Sequence, residues 1–382
     1  MKKIFQNLII VNFVFLIISS SSLANEKIRV GLLLPLSGEN REIGQSVLKA
    51  VKMAVNKIND PRIQIYPKNN FDDPKKTYEA AKELYEDGIK VFIGPIFEKN
   101  SNNLAKLSDA TFLSLTNKLN KKNNNIIASG VNALSQFEAI KKFKNENGLK
   151  KTICLIPERN FRSEIETAIS KSDIKMKIYY YNKEPTKLTK RIEKITRYST
   201  RKQNLEDEIK RVENSDDPNK EKLLEKLNKR DTLGNINFDS VVISGFDETL
   251  KSITTSLMYT DVTPKKTYFI TLNQWFDTTL LDEMSSQNLY FPSINKKNYD
   301  KFKKDYSKVY KDQPNQISLI GYDLVGLVYH LSKINNFQIN SRMFDQKNLF
   351  RGKTGVFEIE NKRIKHVLNF YKVENNKFKK IF

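Results

Sequence analysis

Few residues in this chain could do covalent or metal chemistry. Its 382 residues include two histidines and one cysteine, too few for a His/Cys metal centre. His330 and His366 both stand late in the chain, in regular-looking segments, so a Ser-His-Asp arrangement lacks a base. G-x-S-x-G, a Walker loop and G-x-G-x-x-G do not occur. Paired carboxylates do occur, as Asp72-Asp73 and Asp216-Asp217, but each pair precedes a proline and reads as turn or cap acids. Cys154 lies inside the apolar "TICLIP", reads as a buried strand thiol and has no partner for an intrachain disulfide. The chain is therefore expected to bind rather than catalyse, without metal or cofactor.

Polar groups that could hold a ligand fall instead just after apolar runs. "RVGLLLPLSG" (29–38) is a strand pattern that Pro35 ends, leaving Ser37 and Gly38 to form a tight loop. "GPIFE" (94–98), "SLTN" (114–117), "PERN" (157–160), "SGFDE" (244–248) and "NQWFD" (273–277) repeat that arrangement. In open α/β sheets, ligands bind beyond the carboxyl ends of the strands, where such loops converge. The candidate ligand-binding residues are Ser37, Phe97, Thr116 and Asn117 in the first half, with Glu158, Asp247 and Trp275 in the second.

The elements that must carry these loops read as strand–helix alternation. "IRVGLLLPL" precedes a helical pattern through Val47, Val51, Ala54, Val55 and Ile58. "IQIYPKN" precedes "DPKKTYEAAKELYEDG", where Asp73 can cap, Pro74 suits the first turn and Gly88 stops the helix. "IKVFIGPI" follows, then a helix through Leu104 and Leu107, then "TFLSLTN" and "NNIIASGV". "LKKTICLIPE" opens a second series, continued by "KMKIYYYNK", "FDSVVISGF" and "KTYFITLNQW". Continuous apolar strands indicate parallel sheets covered on both faces. The expected fold is α/β, two doubly wound lobes joined by a multi-strand hinge.

Boundaries follow from composition. Residues 1–24 hold two lysines, an apolar run from Leu8 to Ile18 and small residues ending at Ala24, the pattern of a cleaved secretory signal. No cysteine lies nearby, so a free periplasmic protein, neither a lipoprotein nor membrane-embedded, is expected. The first lobe is assigned 25–131 with a return over 295–340, and the second 132–294 with 341–382. Within the second, 183–235 is about half charged, with apolar steps at Leu188, Ile192, Ile195, Leu205, Ile209 and Val212, and reads as an inserted αα-hairpin. The tail reads as strands turning at "EN" and "NN". A net charge of +22 could indicate an anionic partner, but the lysines are spread along the chain, and export argues against nucleic acid.

Taken in order, "IRVGLLLPLSGENREIGQSVLKAVKMAV", "VFIGPI" and "GYDLVGLVYHLSK" resemble the type 1 periplasmic binding proteins of the leucine-binding class. "GPIFEKNS", "LSLTN", "IASGV", "VVISGFDETL", "LNQWFD" and "FRGKTGVFEIENKRIKHVLNFYKV" are similar, more narrowly, to the penicillin-binding protein activator branch. The resemblance implies two lobes closing on a small polar ligand. It matches Thr116 to a carboxylate-binding threonine, places Phe97 and Glu98 where small hydroxyl residues would be expected, and offers Asp247 or Glu248 as the acid facing a ligand amine. It implies a role in peptidoglycan synthesis through a penicillin-binding protein or, alternatively, in amino-acid uptake with an ABC permease. Asp323 of "GYD" is expected to brace a helix rather than touch ligand.

Overall fold

The computed structural model describes residues 27–118 and 124–382. The secretory segment expected over 1–24 lies outside them. The chain divides into two units, residues 1–130 with 301–364 and residues 131–300 with 365–382, so that it passes between them three times.

In chain order the first elements are β1 (Ile28–Leu34), α1 (Arg41–Ile58), β2 (Ile63–Asn69), α2 (Pro74–Glu86), β3 (Val91–Ile93), β4 (Thr111–Ser114) and β5 (Ile126–Ala128). Next come α3 (Ala133–Glu146), β6 (Thr152–Pro157), α4 (Arg162–Ser172), β7 (Lys177–Tyr181) and α5 (Pro185–Thr196). These lead to α6 (Tyr198–Glu213), α7 (Lys220–Asn228), β8 (Ser240–Ile243), α8 (Asp247–Tyr259) and β9 (Tyr268–Thr271). After α9 (Thr279–Asp282) and β10 (Leu289–Ser293) stand α10 (Lys296–Tyr310) and α11 (Ser318–Ile334). The chain closes with β11 (Asn348–Arg351), β12 (Val356–Glu360), β13 (Arg363–Val367), β14 (Asn369–Glu374) and β15 (Lys377–Lys380).

The first unit rests on a five-stranded sheet of order β2-β1-β3-β4-β5. Its pairings are all parallel, as the unbroken apolar strands require. Leu33, Phe92 and Phe112 face α2, where they bury Ala81 and Leu84, and the two phenylalanine rings stack at 4.7 Å. On α1, Val47, Ala50, Val51 and Ala54 are buried, and Ser46 meets Ser318 of α11 at 2.7 Å. Helix α2 starts where the sequence places it: Asp73 Oδ1 accepts the Lys76 N–H at 2.8 Å, and Pro74 takes the first turn. Between β3 and β4 the expected helix is absent. Two short 3₁₀ turns, Glu98–Ser101 and Leu104–Lys106, stand there instead. The asparagine- and serine-rich sequence competes with a longer helix for backbone hydrogen bonds.

The second unit holds a seven-stranded sheet of order β15-β14-β10-β9-β8-β6-β7. It is parallel from β10 to β7, and β14 and β15 add antiparallel. Strand β10, "LYFPS", is an element the sequence reading missed; Pro292 interrupts its pattern yet pairs with Phe370 of β14. The "NN" turn is confirmed, with Asn375 and Asn376 both at positive φ.

Three boundaries move, and the first is the return to the first unit, which begins at 301 rather than 295. The hairpin expected over 183–235 begins later, because α5 is an ordinary layer helix: Leu188 and Ile192 are buried, and Thr189 Oγ1 lies 3.1 Å from Ser256 Oγ of α8. The hairpin itself is α6 and α7, closed by Leu205, Val212 and Leu227, with Ile209, Leu223 and Leu224 packed on them. Residues 341–364, assigned to the second lobe, group with the first unit. Asp323 of α11 explains this. Its carboxylate accepts the Lys353 N–H, the Thr354 N–H and the Thr354 hydroxyl, each at 2.7 Å, pinning the β11–β12 connection. Gly352 permits that approach, since a Cβ there would stand 2.3 Å from Asp323 Oδ2.

Candidate functional site

Because the strands of each parallel sheet share a direction, their carboxyl ends share an edge, and the candidate residues sort onto two such edges. In the first unit, Ser37 follows β1, Phe97 follows β3, and Thr116 and Asn117 follow β4. In the second, Glu158 follows β6, Asp247 follows β8 and Trp275 follows β9, three adjacent strands.

The loop after β1 is built to be tight. Pro35 ends the ladder, Gly38 turns at φ +79° and Gly44 lets α1 approach, since a Cβ there would stand 2.0 Å from the Pro35 carbonyl oxygen. Ser37 is half-buried, and its hydroxyl accepts from Asn69 Nδ2 at 2.8 Å. Asn69 Oδ1 in turn accepts the Leu36 and Phe71 N–H groups. Beside it lies a hub that the sequence reading took for a turn acid. Asp72 accepts from Asn40 and Asn100 side chains, each at 2.7 Å, and from Lys99 at 2.8 Å. Burial raises the Asp72 carboxyl, but the bonds from Lys99, Asn100 and Asn40 prevail and hold it below the usual range. Thr116 Oγ1 accepts the Lys118 N–H at 3.2 Å, and Asn117 is exposed. The polar side chains of this edge thus largely bind one another.

The second edge is more open and more strained. Glu158 is exposed, its backbone N–H bound to the Tyr181 carbonyl and its carboxylate 3.4 Å from Asn182 Nδ2. Asp247 is exposed and opens α8 at φ +48°. Trp275 is half-buried at φ +49°, its N–H donating to Asn273 Oδ1 at 3.0 Å. Asn160, Phe161 and Phe276 also adopt positive φ. Such backbone costs of order 1–3 kcal/mol per residue and collects at functional sites. Phe161 and Phe246 remain substantially exposed, with ring centroids 6.4 Å apart. Sequence reasoning missed this pair. The available signal was an aromatic residue following an asparagine at a strand end, where asparagine favours the left-handed turn. Neither histidine joins these edges. Cys154 is buried in β6 with its thiol pushed up to about 12 by desolvation, so it offers no nucleophile. No cluster able to hold a metal occurs among the described residues.

Residues 27–172 match the family model described as periplasmic binding protein. No curated protein matches the chain by sequence. Solved structures match along nearly its whole length. The C-domain of LpoA from Haemophilus influenzae, a regulator of PBP1A, superposes with a TM-score of 0.63 at 14% identity, covering 93% of this chain and 100% of that one. A Rhodospirillum rubrum protein described as a branched-chain amino acid ABC transporter gives 0.70 at 12% identity, with 93% and 100% covered. The chain has the type 1 periplasmic binding protein fold. The leucine-binding protein LivK of Thermotoga maritima shares that binding-protein fold, with a TM-score of 0.55 at 13% identity over 93% of this chain and 97% of its own. Against full-length LpoA, the chain spans 59% of the longer protein. By description, one neighbour is a regulator of PBP1A and the other a branched-chain amino acid ABC transporter protein.

Proposed function

We propose that this chain is a non-enzymatic periplasmic binding-fold protein that regulates peptidoglycan synthesis by contacting a penicillin-binding protein. A small polar ligand at its strand ends would modulate that contact. The observation that carries this reading is the first unit's edge. Ser37 is bonded to Asn69, and Asp72 to Asn40 and Asn100, so the Ser37 hydroxyl and the Asp72 carboxylate are already committed within the protein; Asn100 Oδ1 and Asn70 Nδ2 stay unpaired beside them among the described residues. Where a carboxylate-binding loop would need small hydroxyls, Phe97 offers a ring and Glu98 a like charge. The α6–α7 hairpin gives such a protein an added element with which to meet a partner. A second reading, the receptor of an ABC importer for amino acids or similar solutes, is favoured by the second edge. There the exposed Glu158 and Asp247 form no ion pair among the described residues and could face an amine.

Two measurements decide between them. The regulator should capture a penicillin-binding protein from solubilised envelope, lose that capture when 198–233 is deleted, and keep its thermal transition when amino acids are added. Capture that survives the deletion removes the hairpin from the mechanism. A clear rise in melting temperature with an amino acid, which requires binding to the native state, together with no synthase capture, makes the protein a receptor.

A further inference from the structure

Helix α10 carries lysines at 297, 301, 304 and 308, and Lys311 directly follows its end. Steps of four, three, four and three residues set all five on one stripe of the helix, about 20 Å long at 1.5 Å per residue. All five are exposed, and none forms an ion pair among the described residues. The acids of the same segment are drawn away from them. Asp300 binds Lys296 at 2.5 Å, Asp312 binds Lys49 of α1 at 2.8 Å, and Asp305 lies half-buried near Tyr322. The helix C-terminal dipole favours Lys308 and Lys311 but does nothing for Lys301 and Lys304 at mid-helix. Like charges three and four residues apart oppose the helix that holds them, and no ion pair among the described residues offsets that repulsion.

We propose that this stripe docks the protein on a bilayer surface rich in anionic lipid headgroups. Every cation in it is lysine, a hydrated point charge on a flexible stem without the guanidinium fork that reads one phosphate or carboxylate. That chemistry suits a fluid array of headgroups, where each lysine near the surface adds to the attraction. Phe302 and Tyr306 of the helix are buried, so neither can stack a base beside the lysines, as single-strand nucleic acid sites require. Protein interfaces are depleted of lysine at their centres, and the exposed apolar residue of this helix, Val309, lies off the stripe.

The test is co-sedimentation with vesicles of phosphatidylglycerol and phosphatidylcholine against pure phosphatidylcholine. Three proteins, identical elsewhere, are compared. They are the unchanged chain, a stripe variant with Lys297, Lys301, Lys304, Lys308 and Lys311 each changed to glutamine, and a control with the exposed Lys187, Lys202, Lys222, Lys226 and Lys265 so changed. Circular dichroism checks that all three fold. The unchanged and control proteins should partition alike onto the acidic vesicles and weaken with added salt, and the stripe variant should lose at least tenfold. Equal loss in both variants would reduce the effect to net charge and overturn the proposal. So would binding to neutral vesicles as strong as to acidic ones. Capture by polyglutamate without capture by vesicles would overturn it in favour of an acidic protein partner.

Discussion

Asp323 and Asp72 are both largely buried carboxylates in the first unit, and their surroundings push them in opposite directions. Asp72 gains three side-chain donors, one of them charged, and stays ionised. Asp323 has no charged partner in contact; burial pushes its carboxyl up to about 6 from 3.8, although two N–H groups and a hydroxyl favour the ionised form. The folded state therefore binds this proton more tightly than the unfolded chain. Its stabilising contribution is full below about pH 3.8 and lost as pH rises through about 6. Thr354 Oγ1 can accommodate either form, since a hydroxyl can donate or accept. Urea unfolding of the native chain and of Asp323→Asn should diverge between pH 4 and 7. The native protein should lose roughly 3 kcal/mol relative to the variant as pH rises. Parallel curves would place the proton elsewhere.

At the scale of elements, the hairpin depends on one side chain at its base. Arg201 of α6 is buried. Its Nε donates to the Thr196 carbonyl at 3.0 Å, its Nη1 to Thr232 Oγ1 at 2.9 Å and its Nη2 to the Thr260 carbonyl. Thr232 Oγ1 in turn donates to Asp261 Oδ2 at 2.6 Å, and Arg201 Nη1 itself lies 4.0 Å from that carboxylate. Desolvation lowers the Arg201 pKa, and the arrangement stands because acceptors fill its fork. Arg201→Met should cost about 1–3 kcal/mol for the acceptors left unpaired. It should also speed hydrogen exchange in α6 and α7, with the exchange of β6 and β8 unchanged. The same region shows where the sequence was legible and where it was not. Apolar runs located β1 and β6, and Asp73-Pro74 located the start of α2, because burial and capping are written locally. The break between α5 and α6 was not visible, since the turn rests on Arg197 at φ +53°, a residue type that does not announce a stop. Strand β10 was lost because Pro292 reads as a strand breaker until an antiparallel neighbour is known. The engagement of Asp72 depends on Asn100 and Lys99, which reach it from beyond another strand, and no local pattern encodes that.

For the whole molecule, sheet edges must be kept from pairing with another chain, and the four outer strands of the two larger sheets are each blunted by their own device. Strand β2 carries Pro67, and β5 is three residues long. The outer edge of β7 is partly covered where Arg191 Nε donates to the Tyr180 carbonyl at 3.0 Å. Strand β15 relies on exposed Lys377, Lys379 and Lys380. Changing those three lysines to valine should leave the fold intact but make "KFKKIF" an adhesive strand, with light scattering rising several-fold faster on mild heating. An unchanged scattering rate would mean that another part of the surface guards that edge. The placement of Cys154 has a practical consequence of a different kind. Its thiol lies wholly inside the second unit's sheet and carries almost no thiolate at neutral pH. The native chain should thus be silent toward maleimide dyes, and Ser199→Cys on the hairpin or Asn117→Cys on a strand-end loop should accept one fluorophore at one known position without prior removal of a background cysteine.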